Sequence, residues 1–279
     1  MKWLIELRWS AIAMAVLVGC QTAPPPLPAP PTTLDAVGEL RAGSGFPKGY
    51  LDTDQLPDSL MLLPAPPAAG SAQAAADLAA YRSSRALRDT PRWGLAAQEA
   101  NYKSAAIYET LACALDSPIT PAATPHLHML LRRTLVDAGR ATNRAKQGHQ
   151  RPRPYAAQAD ASCYPTDDAE LRSDGSYPSG HAAFGWAWAL VLAELAPERA
   201  NALLQRGYAI GAGRVVCGMH WPSDVEAGRV VGAAAVARLH ADATFRAQAA
   251  LAKAEIDAAR ARGLKPARDC AAEAGALAQ

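Results

Sequence analysis

Three clusters of charged and polar residues have the types and spacings to hold a tetrahedral oxyanion. The first is Lys146 and Arg153, with Arg153 between Pro152 and Pro154. Arg offers a planar fork and Lys a point charge, so the pair can grip two edges of a phosphate. The second is Ser176-Tyr177-Pro178-Ser179-Gly180-His181, followed at once by the apolar run Ala182 to Leu195. That run reads as a helix, which places Ser179 and Gly180 at its N-terminus. There the first backbone N–H groups lack intrahelical partners and the dipole is positive, so the place suits an anion. His181 beside it can hand a proton to an anion's leaving group. The third cluster is Arg214, His220 and Asp224. Pro222 favours a helical turn that brings Asp224 to the imidazole of His220. A carboxylate on one ring nitrogen fixes the tautomer and frees the other nitrogen to attack.

Together the clusters resemble the K-x6-RP, PSGH and SR-x5-H-x3-D signature of the phosphatase superfamily that contains type 2 phosphatidic acid phosphatases and vanadium haloperoxidases. One position departs from it: Gly213 stands where that family has Ser. Further text narrows the resemblance to class A bacterial non-specific acid phosphatases. It includes Gln55-Leu56-Pro57-Asp58-Ser59-Leu60, Arg151-Pro152-Arg153-Pro154-Tyr155, Asp174 to His181, and Val216-Cys217-Gly218-Met219-His220-Trp221. The resemblance implies that His220 takes the phosphoryl group, His181 protonates the leaving oxygen and Asp224 orients His220. It implies a phosphate cradle of Lys146, Arg153, Arg214, Ser179 and the N–H of Gly180, with the lost Ser at Gly213 loosening it. The implied activity is hydrolysis of a broad range of phosphomonoesters at acid pH through a phosphohistidine, with a phosphotransferase side activity. No metal and no cofactor are expected, and relatives of this kind often form homo-oligomers. Tyr155 and Tyr177 adjoin the motifs and are candidates for touching a substrate's organic part. A vanadate-dependent haloperoxidase and a lipid phosphatase at a membrane surface are the rival readings.

The elements that would carry these residues are helices. Half of the 279 residues are apolar, Ala is abundant, and only three are Phe, a composition poor in strand formers. The spacing predicts helices over Ala72–Leu87 and Leu95–Leu115, broken at Thr90-Pro91. A third, amphipathic helix through Leu127, Leu130, Leu131 and Leu135 runs to about Lys146. Two helices that are apolar nearly all round, after His181 and from Pro222 to about His240, should be central and carry the site. Another spans Arg199–Val216, and an exposed, charged one Thr244–Arg262. The fold class is therefore all-α, one compact multi-helix domain over residues 46–262. Phe46–Pro67 reads as an arm on its surface, anchored by Leu56, Leu60, Leu62 and Leu63. The tail 263–279 reads as loosely held.

Residues 1–19 read as a signal peptide: Lys2 and Arg8 precede a short apolar stretch that ends in Leu17-Val18-Gly19-Cys20. Its end resembles a bacterial lipoprotein signal, which implies lipidation at Cys20. Gln21 then favours the outer membrane, facing the periplasm. Residues 20–45 form a Pro-rich linker. Beyond Cys20 lie Cys113, Cys163, Cys217 and Cys270, an even set that permits two disulfides in any of three pairings. The absence of C-x-x-C spacing disfavours a zinc site, and His126 and His128 lie on different helix faces. Net charge is +2, with no basic, aromatic-interleaved footprint for nucleic acid.

Overall fold

In the computed structural model, which describes residues 28–279, secondary structure is helical, with one isolated bridge between Glu39 and Pro47. The stretch read as a signal peptide, with Cys20, lies outside the described residues. Helix α1 (Ala72–Ser84) starts at Ser71, whose hydroxyl accepts from the Ala74 amide, and α2 (Pro91–Ala100) starts at Thr90 with Pro91 in its first turn. These are the side-chain caps and N-terminal prolines that satisfy or remove free amides.

The predicted helix over Leu95–Leu115 is not continuous. It ends at Ala100, Asn101 leaves the helical region, and Ser104 caps a separate 3-10 turn at Ala105–Glu109. A second short turn follows at Ala112–Leu115. The amphipathic third helix is likewise split, into α3 (Pro125–Ala141) and α4 (Asn143–His149), where the Thr142 hydroxyl bonds back to the Gly139 carbonyl at 2.7 Å.

At the centre is α5 (Gly180–Leu195), packed against α3, α6 (Ala200–Val216) and α7 (Pro222–Leu239). Trp188 is fully buried there, and its indole N–H donates to the Leu131 carbonyl at 2.8 Å. Helix α8 (Ala243–Ala261) is not simply an exposed helix, because Phe245, Gln248, Ala252, Ile256 and Ala259 are buried on the side that meets α3.

Both ends of the domain are firmer than their composition suggests. Residues assigned to the linker pack on the core: a helical turn at Leu34–Val37 is followed by Leu40 and Phe46, which lie against the main cluster. The arm beyond is pinned by Asp137 on α3, whose carboxylate accepts from the Tyr50 amide at 2.7 Å, and by the Arg133 guanidinium 3.7 Å from the centre of the Tyr50 ring. Leu56 and Leu63 anchor it, but Leu60 and Leu62 face solvent beside Met61. The tail is not loose either. It forms α9 (Cys270–Leu277), bonded to Cys113 through Cys270 and tied by Glu273 to Arg206 at 3.1 Å and Arg268 at 3.0 Å. The second disulfide joins Cys163 to Cys217, at the end of α6.

Candidate active site

The three clusters are stitched together by backbone hydrogen bonds. The Ser176 amide donates to the Arg151 carbonyl at 2.8 Å, which joins the first cluster to the second. The Ser179 amide donates to the Asp224 carbonyl at 2.9 Å, joining the second to the third, and Tyr155 donates to the Gly218 carbonyl at 3.1 Å. Gly218 has φ +79°, a left-handed turn that suits glycine. Through it the Met219 and His220 amides fold back onto the Arg214 carbonyl, at 3.1 and 3.3 Å. Residues far apart in sequence are thus held in one rigid frame.

That frame surrounds a cavity of about 330 Å³. Lys146, Arg153, Gly180, His181, Arg214 and His220 all line it. Arg153 donates from Nη1 to the Met219 carbonyl at 3.3 Å and lies 3.1 Å from His220 Nε2. With Nε2 accepting from the guanidinium, the ring proton of a neutral His220 sits on Nδ1. Arg214 is almost fully buried, yet its Nε and Nη1 have no hydrogen-bond partner among the described residues. Buried guanidinium donors without a partner, on a residue that lines the cavity, suit an anion there.

Electrostatics follow from this crowding. Burial, with Arg153 beside it, holds Lys146 down to about 8 and Arg214 down to about 9. Burial first, then Arg153, Lys146 and Arg214, keep His220 well below the ordinary imidazole range. His181 is depressed by burial first, then by Arg214 and His220. A site that disfavours its own positive charges is built to take a negative one.

His181 opens α5 at the cavity wall. Its Nε2 lies 3.2 Å from the Ala100 carbonyl, and its ring packs edge-on to Tyr102, centres 5.5 Å apart, and against Phe184 at 4.9 Å. The break in the predicted helix at Ala100 therefore has a use: it aims that carbonyl and Tyr102 at His181. With Nε2 donating to Ala100, Nδ1 is the nitrogen left to exchange a proton.

Several expected roles need correction. The Ser179 hydroxyl is fully buried and accepts from the Ala182 amide at 3.2 Å, so it caps α5 and does not line the cavity. Asp224 Oδ2 stands 3.6 Å from His220 Nδ1, too long for a hydrogen bond. That oxygen accepts from the Trp221 amide at 2.8 Å, and Oδ1 takes Arg151 Nη1 at 2.6 Å. Tyr155 and Tyr177 are buried and away from the cavity, their hydroxyls donating to the carbonyls of Asp168 at 2.7 Å and Pro64 at 2.9 Å. Gly213 faces elsewhere too: a Cβ there would meet Glu99 Oε2 at 3.1 Å and Arg92 at 3.3 Å, in a buried ion cluster behind Arg214. The departure from the family Ser therefore falls outside the cavity.

Sequence reasoning assigned no role to Tyr102, to Asp174 of the quoted motif, or to Leu40, Arg41 and Phe46 of the N-terminal segment, all of which line the cavity. Nor did it assign a role to Arg151, whose Nη2 also holds the buried Asp77 at 2.8 Å. The remaining histidines are engaged elsewhere: His126 with Gln248, His128 with Tyr108, His149 with Tyr177 and His240 with Glu194. Among the described residues no His, Cys, Asp and Glu cluster has the makeup of a metal site, and no helix is long and apolar enough to cross a membrane.

Comparison with known proteins places the sequence in one family. The sequence model of the PAP2 superfamily matches residues 126–247, a span that contains all three clusters. A Non-specific acid phosphatase of Providencia stuartii is 44% identical over 208 residues, covering 74% of this chain and 84% of that protein. An Acid phosphatase of Zymomonas mobilis is 40% identical over 209 residues, 75% of this chain and 79% of its own length. A Non-specific acid phosphatase of Salmonella typhimurium is 39% identical over 201 residues, 72% and 80% respectively.

Proposed function

The chain belongs to the PAP2 superfamily, with the bacterial non-specific acid phosphatases, and on that footing we propose that it hydrolyses phosphomonoesters through a phosphohistidine on His220. The observation that carries this reading is the buried Arg214 with two open donors, beside an imidazole that already sits against Arg153. Phosphoryl transfer asks chiefly for positioning and for cancellation of charge on the equatorial oxygens. Lys146, Arg153, Arg214 and the N-terminus of α5 supply that cancellation from the chain itself, so the proposed reaction uses no metal.

His220 Nε2 attacks phosphorus, the P–O bond to the alcohol breaks, and His181 gives the leaving oxygen its proton. In the second half His181, now neutral, takes a proton from water as the water oxygen displaces His220 from phosphorus. An alcohol in place of that water would give phosphotransfer. Attack wants a neutral His220, and its depressed pKa provides one down to acid pH. The leaving group wants a charged His181, whose depression by burial and Arg214 removes the proton as pH rises. A bound phosphate opposes that depression. Activity should therefore be bell-shaped with its maximum on the acid side of neutrality.

The reading extends to location. Two disulfides suit an oxidising compartment, and export with a lipid on Cys20 would place the enzyme in the periplasm at the outer membrane.

The test is a phosphate-release panel over nucleotides, sugar phosphates and lipid phosphates with EDTA present, joined to rapid quench with labelled substrate. We expect an acid-labile, alkali-stable phosphoprotein that is lost with turnover in His220→Ala. His181→Ala should cost roughly 10²–10⁴-fold for alkyl phosphates and less for p-nitrophenyl phosphate, whose leaving group needs no proton. Full turnover in His220→Ala would refute the assignment.

A further inference from the structure

The cradle is not empty of negative charge. Asp174 Oδ2 accepts from Arg153 Nη2 at 2.8 Å and stands 3.6 Å from Lys146 Nζ. A carboxylate thus lies on two of the three cations that would hold phosphate, while the third, Arg214, stays open.

Neither cation needs that carboxylate for its aim. Arg153 Nε donates to the carbonyls of Leu171 at 3.0 Å and Asp174 at 3.1 Å, and Nη1 donates to that of Met219. Lys146 Nζ donates to the Gly175 carbonyl at 2.5 Å. These acceptors are all backbone oxygens. The Asp174 side chain, by contrast, is 47% exposed, a loop residue on the cavity wall. A half-exposed side chain can leave by a rotamer change, whereas the buried guanidinium cannot follow it.

We infer that Asp174 acts as an internal competitor for the phosphate cradle and so governs release of the product. In the free enzyme its carboxylate occupies the Lys146–Arg153 half of the cradle, and an incoming phosphoryl group must displace it. This rests on the phosphatase reading above and adds to it. Displacement taxes every anion that contacts both cations, the product included, because the competitor is covalently attached and always present. A cradle of three buried cations without it would hold inorganic phosphate tightly and turn over slowly. With it, phosphate is returned to solvent as the carboxylate swings back.

The experiment is calorimetric titration of inorganic phosphate into wild type, Asp174→Asn and Asp174→Ala, with Ki for phosphate measured in p-nitrophenyl phosphate hydrolysis. Titration reads the cradle whether or not the enzyme turns over, and wild-type hydrolysis tests the underlying reading separately. Both variants should bind phosphate about tenfold more tightly, the factor recovered when the carboxylate-free cradle is about one tenth of the free wild-type enzyme. KM and Ki should fall together, with kcat level or lower as release slows. Unchanged or weaker phosphate binding in a variant that melts like wild type would overturn the proposal. It would show instead that the carboxylate serves to hold Arg153 in place.

Discussion

Asp224 is held by groups other than the imidazole it was expected to orient. Its oxygens go to the Trp221 amide and Arg151, and the His220 nitrogen is the more distant neighbour. Burial raises the Asp224 pKa, and Arg151 is the foremost influence pulling it back. Arg151 is therefore expected to keep a buried carboxylate charged beside His220, the proposed nucleophile. The direction of the effect is fixed. Without the guanidinium Asp224 rises further and loses its charge at a higher pH on acidification. An acid limb of kcat/KM set by loss of the Asp224 charge should then move upward in pH in Arg151→Met, whereas one set by His220 would not, and stability should drop by about 3–5 kcal/mol because Asp77 and Asp224 lose a buried partner. Arg151→Lys should restore part of both. A pH–rate profile and a urea melt check this, and an unmoved acid limb would assign Arg151 to structure alone. The cations and imidazoles of the site were legible in the sequence because their chemistry needs fixed types at fixed spacing. The contacts of Tyr155 and Tyr177 were not, since adjacency along the chain says nothing about which way a side chain points. Tyr102 carried no signal of its own beyond the Asn101-to-Ser104 break.

At the scale of elements, apolar patterning located α5 and α7, whereas the helix read from Leu95 in fact begins at Pro91, behind a Thr90 cap that the Thr90-Pro91 break concealed. The patterning could not show how closely α5 and α7 approach. A Cβ at Gly228 of α7 would stand 2.4 Å from the Ser179 carbonyl, and one at Gly232 would stand 2.3 Å from that of Ala183. Both contacts are with the backbone of the first turn of α5, which cannot rotate away. In an open helix, Gly→Ala gains about 1 kcal/mol of propensity. At Gly228 the clash should outweigh it, as overpacking costs about 1–3 kcal/mol. Because α7 carries Asp224 and follows directly on His220, the displacement should also reach the chemistry. Gly228→Ala is expected to lower both Tm and kcat. A substitution on α8 that lowers Tm equally, such as Ile256→Val, should leave kcat alone. A rise in Tm for Gly228→Ala would contradict the packing described here. The N-terminal segment shows the same limit of patterning. Its composition marks a linker, but single residues such as Leu40 and Phe46 suffice to seat it on the core, and Asp137 fixes the arm that follows, through contacts that leave no periodic trace.

For the molecule as a whole, an even cysteine set permits two disulfides, but pairing depends on where distant chain segments meet, and this the sequence left open among three choices. Once made, the two bonds differ in kind. Cys113–Cys270 spans a sequence separation of 157 residues and ties α9 to the turn at Ala112–Leu115, with Glu273 adding ion pairs to Arg206 and Arg268. Cys163–Cys217 spans 54 residues and sits beside the Gly218 turn that presents His220, where the Cys163 amide also donates to the Cys217 carbonyl at 2.9 Å. The chain-entropy relation assigns them about 5 and about 4 kcal/mol respectively, values that measured disulfides usually undershoot. The first should therefore act on stability alone and the second on stability and catalysis together. Cys270→Ser is expected to lose about 2–5 kcal/mol in a denaturant melt while kcat/KM for p-nitrophenyl phosphate stays within about threefold of wild type below the transition. Cys163→Ser and Cys217→Ser should lose a comparable amount and, at the same denaturant-free temperature, should also lose kcat, because the Met219 carbonyl that receives Arg153 and the imidazole that follows it are no longer braced. If catalysis fell equally in Cys270→Ser, the tail would have to reach the cavity by some path other than the contacts seen, and the division of labour between the two bonds would be wrong.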